Sequence, residues 1–495
     1  MKRGFGILMH VASLPGDYGI GGFGDCYRFL DFLADAGAKY WQVLPLSPTG
    51  FGNSPYQSPA AGMLNPYFIS LEELRAEGLL TEEELRGART QDKRIDYGRL
   101  YRTRYPLLRK AYSRFRHTPA FCAYVSRGAA GDYALFMALK EKHGGAPFDR
   151  WEEKYRFADP AALDAFAAEN ERELAFWHFL QYVAARQWKK VRSYAAEKGI
   201  AVIGDLPLYV AYDSADVWKN PHLFKLDEER KPVKVAGVPP DYFSAEGQLW
   251  GNPVYDYAAH EKENFAWWAQ RAARALKTCD FVRIDHFRGL DRYFEIPAGG
   301  TAAEGRWEAV PHAALFRAIA EKCDISRFIA EDLGILDEGV YALRERLGVA
   351  GMSVLSFAFN GDPNNPYLPE KLGRNTVCYT GTHDNDTLMG LLAAMGAEEK
   401  ARFIAGLKVS LRKMKLRCFT TDDALVVSAV TEAGFTCKAD AFILPLQDAA
   451  FLGTEYRMNE PSTDKAENWS VRFERNRIRP VLAARLKKLA EKYRR

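Results

Sequence analysis

The chain reads as an α/β protein built on a (β/α)8 TIM barrel with large inserted subdomains. Eight short, apolar, β-prone runs are separated by helix-like stretches, the alternation that produces parallel βαβ units. Three of those runs end at an acid inside a distinctive string: Asp285 in RIDHFRG (283–289), Glu331 in IAEDLG (329–334) and Asp384 in GTHDNDT (381–387). A length of 495 residues accommodates a barrel of about 250 residues together with its insertions.

The expected barrel strands are 6–10, 39–45, 201–208, 281–285, 328–332, 352–359, 376–380 and 441–446. Helical patterns follow at 25–36, 175–199, 307–323 and 336–347, too long and too mixed in charge for strands. The gap between the second and third strands far exceeds an ordinary βα connection, so 66–170 is expected to be a helical insertion. A second insertion and cleft loop is expected at 219–255, after strand three, within one catalytic domain spanning 1–495. The basic end of the chain, LKKLAEKYRR (486–495), has the spacing of a final helix with a solvated face.

Side chains at the C-terminal ends of barrel strands converge on one face, so three acids distant in sequence can share a pocket. Two of the acids have a histidine neighbour: His286 follows Asp285 and His383 precedes Asp384. Arg283 lies two residues before Asp285 and shares its strand face, where its charge keeps that carboxyl ionised. Paired carboxylates on a barrel face point to glycoside chemistry.

Longer strings resemble the amylomaltase family, the 4-α-glucanotransferases or disproportionating enzymes related to α-amylases. They are GILMHVASLPGDYGIGGFG (6–24), KYWQVLPLSPTGFGNSPYQS (39–58), GDLPLYVAYDSADVW (204–218), PPDYFSAEGQLWGNPVY (239–255) and FAFNGDPNNPYLP (357–369). The resemblance runs nearly end to end and implies a retaining enzyme acting on α-1,4-glucans such as maltooligosaccharides, amylose, starch or glycogen chains, with glucose as an acceptor. In it Asp285 matches the nucleophile, Glu331 the general acid/base and Asp384 the acid that stabilises the transition state. It further implies that Tyr56 stacks near the donor sugar, that Asp205 and Trp250 line the glucan path, and that Phe357 contacts the acceptor side. Gln248, Arg283, His286, His383 and Asn468 complete the implied binding set. Gln248 and Asn252 are expected in a mobile loop whose Leu249-Trp250 pair covers the cleft. The chain departs from the family pattern in EPSTDKAENWSVR (460–472), one residue longer, with Val471 where an aromatic is expected. Phe51, PAAGML (59–64) and Leu391-Leu392 also depart, and none of the changes touches an acid.

Other classes fare worse. GIGGFG (19–24) formally matches a dinucleotide loop, yet residues 12–18 separate it from the strand, so it is read as a flexible loop on the catalytic face. The His residues show no HExxH pair or Cys/His cluster, so no metal and no cofactor is implied; Asp213 and Asp216 lack calcium-loop spacing. With 68 basic against 64 acidic residues, no strong field marks a nucleic-acid binder, and no apolar run approaches a membrane span. Seven scattered Cys read as reduced thiols in a cytoplasmic protein, and the signal-like start MKRGFGILMHVAS is claimed by the first barrel strand. Two further readings remain: a hydrolase of the α-amylase type and a non-catalytic glucan-binding scaffold. Retained acids argue against the scaffold, and the matching loops against a plain amylase.

Overall fold

The computed structural model describes every residue except 241–245, 335 and 418–420. The Asp of the Pro-Pro-Asp run and Cys418 therefore lie outside the described residues. The strands are β1 (Gly4–Leu8), β2 (Tyr40–Gln42), β3 (Ala201–Leu206), β4 (Lys234–Val238), β5 (Gln248–Pro253), β6 (Phe281–Ile284), β7 (Arg292–Pro297), β8 (Arg306–Ala309), β9 (Phe328–Ala330), β10 (Gly351–Val354), β11 (Thr376–Tyr379) and β12 (Ala441–Pro445).

Eight of these pair in parallel in the order β10-β11-β12-β1-β2-β3-β6-β9. A parallel bridge between Ile329 and Ala350 joins the two ends, where Ala330 N donates to Ala350 O at 2.7 Å. The sheet thus closes into a barrel, and each of its strands overlaps an expected run. Most stop a residue or more before the expected end, because the chain leaves the ladder there and turns its last side chains over the barrel mouth. The run at 352–359 shows this: β10 ends at Val354 and a 3-10 turn takes Leu355–Phe357.

Strand alternation sorts the apolar residues into two cores. Leu8, Tyr40, Ile203, Val377, Tyr379 and Ile443 fill the barrel interior. Phe5, Ile7, Val202, Cys378, Phe442 and Leu444 point outward against the helices. With both faces buried, β1 (GFGIL) and β12 (AFILP) are apolar throughout. Gly6 faces inward next to β2, and a Cβ there would stand 2.4 Å from Tyr40 O and 2.8 Å from Ile443 Cδ1. Toward the mouth the interior becomes polar: Tyr379 Oη donates to Gln42 Oε1 at 2.9 Å, and Asp205 and Arg283 form the next layer.

Helices occupy most of 71–169, followed by the 27-residue helix Glu171–Glu197. Its buried amides pin the chain leading away from β2. Gln181 accepts from Leu64 N and donates to Leu64 O, at 3.0 and 2.8 Å. Gln187 does the same for Ser70, at 2.7 and 3.3 Å. The final helix Pro480–Tyr493 buries Leu482 and Leu486, and Arg495 beyond it donates to Phe435 O and Cys437 O at the barrel base.

Two readings need correction. The helical pattern at 307–323 starts too early: Trp307 lies on β8 and the helix is His312–Ala320. Strand β8 belongs to an antiparallel sheet, β5-β4-β7-β8, drawn from the connections after both β3 and β6. GIGGFG is also no flexible loop, since Gly21, Gly22 and Phe23 are buried and a Cβ on Gly21 would meet Val11 O at 2.1 Å. Asp213 accepts from Phe148 N at 3.1 Å and Asp216 from Ala61 N at 2.9 Å.

Gly6→Ala is expected to lower the thermal midpoint, because overpacking this kind of contact costs about 1–3 kcal/mol. Gly87→Ala is the control: it caps a helix at φ −72° with nothing within 4 Å of a new Cβ, and should leave the midpoint unchanged or slightly higher. Equal shifts in parallel melting curves would show that the barrel wall absorbs a methyl group at Gly6.

Candidate active site

Asp285, Glu331 and Asp384 stand just beyond the C-terminal ends of β6, β9 and β11 and open onto one cleft of about 2,500 Å³. The backbone carries the first two across the ladder: Asp285 N donates to Leu206 O and Glu331 N to Ile284 O, both at 3.0 Å.

Arg283 faces inward on β6 with its side chain only 5% exposed. Its Nη1 donates to Asp205 Oδ2 at 2.6 Å and its Nη2 to Asp285 Oδ1 at 2.7 Å. Burial acts to lower the guanidinium, but Asp205 and Asp285 outweigh it and hold it above its ordinary range. Asp205 also accepts from Tyr56 Oη at 2.6 Å. Burial raises the Asp205 carboxyl against the pull of Arg283. This corrects one expectation, because the Asp205 side chain is fully buried behind Tyr56 and Arg283 and does not form the cleft wall.

His286 takes the left-handed backbone conformation, φ 48° and ψ 50°, immediately after Asp285. That turn aims its amide at the neighbouring acid, and His286 N donates to Glu331 Oε2 at 2.7 Å. Burial, with the charge of Asp285 and Asp332 adding to it and Arg283 and the His286 amide opposing, pushes Glu331 up to about 8. Burial also takes the His286 ring down to about 4, so it is neutral at pH 7.

Asp384 is held from a different direction. Asn459 Nδ2 donates to its Oδ1 at 2.7 Å, His383 Nε2 lies 3.2 Å from its Oδ2, and Arg457 Nη2 donates to its backbone O at 3.0 Å. Tyr56 and His383 stack with ring centroids 5.3 Å apart and 14° between planes, and Trp469 leans on both. Asn459 and Trp469 were not among the expected site residues. Nothing in the string around Asn459 marks it, since its role arises only where the chain returns to Asp384.

Trp250 packs edge-on against His286, centroids 4.8 Å apart, and Nε1 donates to Gln248 Oε1 at 3.1 Å. Both residues sit on β5, a paired strand rather than a mobile loop, while Leu249 between them is 54% exposed. Asn252 on the same strand bonds Gln57 across the cleft at 3.1 Å. Phe357 ends the turn after β10, lines the cleft and packs on Tyr367. Asn468 reaches the cleft wall, but its amide braces its own loop: Oδ1 accepts from Glu460 N at 3.0 Å and Nδ2 donates to Thr463 O at 2.9 Å. Arg288 pairs with Asp337 at 3.3 Å and lies over Trp307.

The family model described as 4-alpha-glucanotransferase matches residues 9–477. A 4-alpha-glucanotransferase of Thermus thermophilus is 43% identical, with 99% of each chain covered, and one of Clostridium butyricum is 41% identical over 98% of this chain and 99% of its own. The solved structure of an amylomaltase from Streptococcus agalactiae in complex with acarbose superposes with a TM-score of 0.93 at 35% identity, covering all of both chains. With these likenesses added to three acids on one barrel face, the chain belongs to the 4-alpha-glucanotransferase family.

Proposed function

We propose that Asp285, Glu331 and Asp384 carry out the 4-α-glucanotransfer of this enzyme by double displacement, as nucleophile, general acid/base and transition-state stabiliser. The observation that carries the assignment is the contrast between two neighbouring acids. Glu331 is buried and pushed up to about 8, whereas Asp285 has a guanidinium on one oxygen. A protonated acid beside an ionised nucleophile is the division of labour that retention requires.

Arg283 occupies Asp285 Oδ1, which leaves Oδ2 to attack the donor's anomeric carbon. As that C–O bond forms, the bond to the leaving glucan's O4 breaks and Glu331 supplies its proton to that oxygen. The acceptor's 4-OH then attacks the glycosyl ester, Glu331 takes the hydroxyl proton, and Asp285 departs as a carboxylate. Asp384 faces the positive charge that develops on the sugar ring between these states.

Donor α-1,4-glucans and a glucose or glucan acceptor fit a cleft walled by Tyr56, Trp250, Phe357 and Trp469, whose flat faces suit sugar rings. Gln248, His286, His383 and Asn468 offer polar contacts at the same wall. Asp205 acts from behind, through Arg283 and Tyr56. Trp250 beside His286 excludes water from the glycosyl ester, which favours a sugar hydroxyl as the second nucleophile. The described cysteines are all unpaired thiols, which supports a cytoplasmic setting. Among the described residues no helix is long and apolar enough to cross a membrane.

Asp285→Asn removes the nucleophile in a nearly isosteric change and should reduce transfer by at least a thousandfold with the fold intact. Activity within tenfold of the parent, with deamidation excluded by mass spectrometry, rejects the assignment. Because the competent Glu331 is the protonated form, present below about 8 and lost above it, kcat/KM for maltotriose should fall as pH rises through about 8. Glu331→Gln should abolish that limb and recover its first half-reaction only with a donor whose leaving group needs no proton. A parent-like alkaline limb in Glu331→Gln places the titration elsewhere. Trp250→Ala should raise the ratio of hydrolysis to transfer, read from new reducing ends against released glucose. An unchanged ratio shows that Trp250 does not control water.

A further inference from the structure

The segment that carries Asn459 and Trp469 to the site is a loop whose two ends lie close together. Glu455 stands at its start and Glu467 to Ser470 at its end, and both are reached by one side chain from the helical insertion. Arg94 Nη2 donates to Glu455 O at 3.0 Å, while Nη1 donates to Glu467 O at 3.3 Å and to Ser470 Oγ at 3.1 Å. Among the described residues no carboxylate lies within ion-pair distance of Arg94, and its side-chain hydrogen bonds all go to this loop. The planar fork suits the task, since it holds several donors in fixed directions where an ammonium has only a point charge.

The backbone next to Arg94 strengthens the join. Residues 94 and 471 form an antiparallel bridge, Ile95 N donates to Ser470 O at 2.8 Å, and Tyr97 Oη donates to Trp469 O at 3.0 Å. Between these anchors Trp469 adopts φ 62°, a left-handed conformation that a bulky residue holds only when its surroundings over-determine it. The strained residue is the one that leans on Tyr56 and His383, and the loop's other end supplies the Asn459 amide to Asp384.

We propose that Arg94 is a positioning residue for the transfer reaction: by closing the neck of the 455–470 loop it sets Asn459 against Asp384 and Trp469 against His383. The inference rests on the reading of Asp384 as the transition-state stabiliser. Arg94 touches no reacting atom, so its removal disturbs the alignment of groups that do. Loss of alignment appears in kcat, because the Asn459–Asp384 contact matters most when charge develops on the sugar, and much less in KM.

The test compares Arg94→Ala with the parent on maltotriose, counting only folded enzyme. The expected result is a fall in kcat of fivefold or more, KM within about threefold, and recovery of at least half the lost rate on adding guanidinium chloride at a low, non-denaturing concentration. The free ion can occupy the vacated neck, and a purely structural loss of folded protein would not respond to it. A fall smaller than fivefold, or one that guanidinium does not restore, overturns the proposal. Should Arg94→Ala not fold, Arg94→Lys, which keeps the charge without the fork, is judged by the same fivefold criterion in kcat alone. Asp384→Asn, assayed alongside, separates the two claims: near-parental activity there defeats the Asp384 reading, whereas an inactive Asp384→Asn with an unaffected Arg94→Ala defeats only the role of Arg94.

Discussion

The buried guanidinium of Arg283 is the constraint around which the rest of the site is arranged. Charges removed from water are costly unless they are paired and hydrogen-bonded, and losing one partner of a buried pair typically costs about 3–5 kcal/mol. Here the cation lies between two carboxylates, Asp205 behind and Asp285 in front. Asp285 is the member of the trio that faces the cleft, next to Glu331. Glu331 then cannot ionise easily beside it, because burial and the charge of Asp285 both resist a further anion. Burial therefore raises Glu331 even though Arg283 pulls it down.

The barrel makes this placement possible through strand periodicity. On β3, residues 201, 203 and 205 face inward, and on β6, residues 281 and 283, so the interior changes from Ile203 and Tyr40 to Asp205 and Arg283 within one strand length. Apolar packing at the base supplies the rigidity and the polar layer at the mouth uses it. The 3-10 and left-handed turns that follow the strands aim the acids and amides at one another. His286 illustrates this, since its φ of 48° turns a backbone N–H onto Glu331.

How legible each part was depends on how local its cause is. The eight barrel strands could be read because burial on both faces leaves short, continuous apolar runs, and the three acids because they end such runs in polar company. The antiparallel sheet was not visible in the sequence. Half of it comes from 292–309, where RYFEIP follows the string around Asp285 and Trp307 begins a stretch with helical composition. Its strands pair with others far away in sequence, so no local pattern signals them. Asp205 was expected to line the glucan path, and its burial was not legible, since its depth depends on Tyr56 and Arg283 closing over it. Gln248 and Trp250 looked mobile because Gly and Pro surround them, yet pairing with β4 makes them a strand.

Asn459 marks the limit of what sequence can show, and also explains the division of labour in the molecule. An amide is chemically ordinary, and it gains importance only because a long segment returns from β12 to the far side of the mouth and stops beside Asp384. Strands fix Asp285 and Glu331 through their own ladder, but Asp384 lies in a loop and takes its support from another loop. Loops held by few contacts fluctuate more than strands. On the proposed reading, an acid that meets a developing charge without reorganising needs its supporting loop restrained from outside, and Arg94, Ile95 and Tyr97 of the helical insertion are among the residues that hold it.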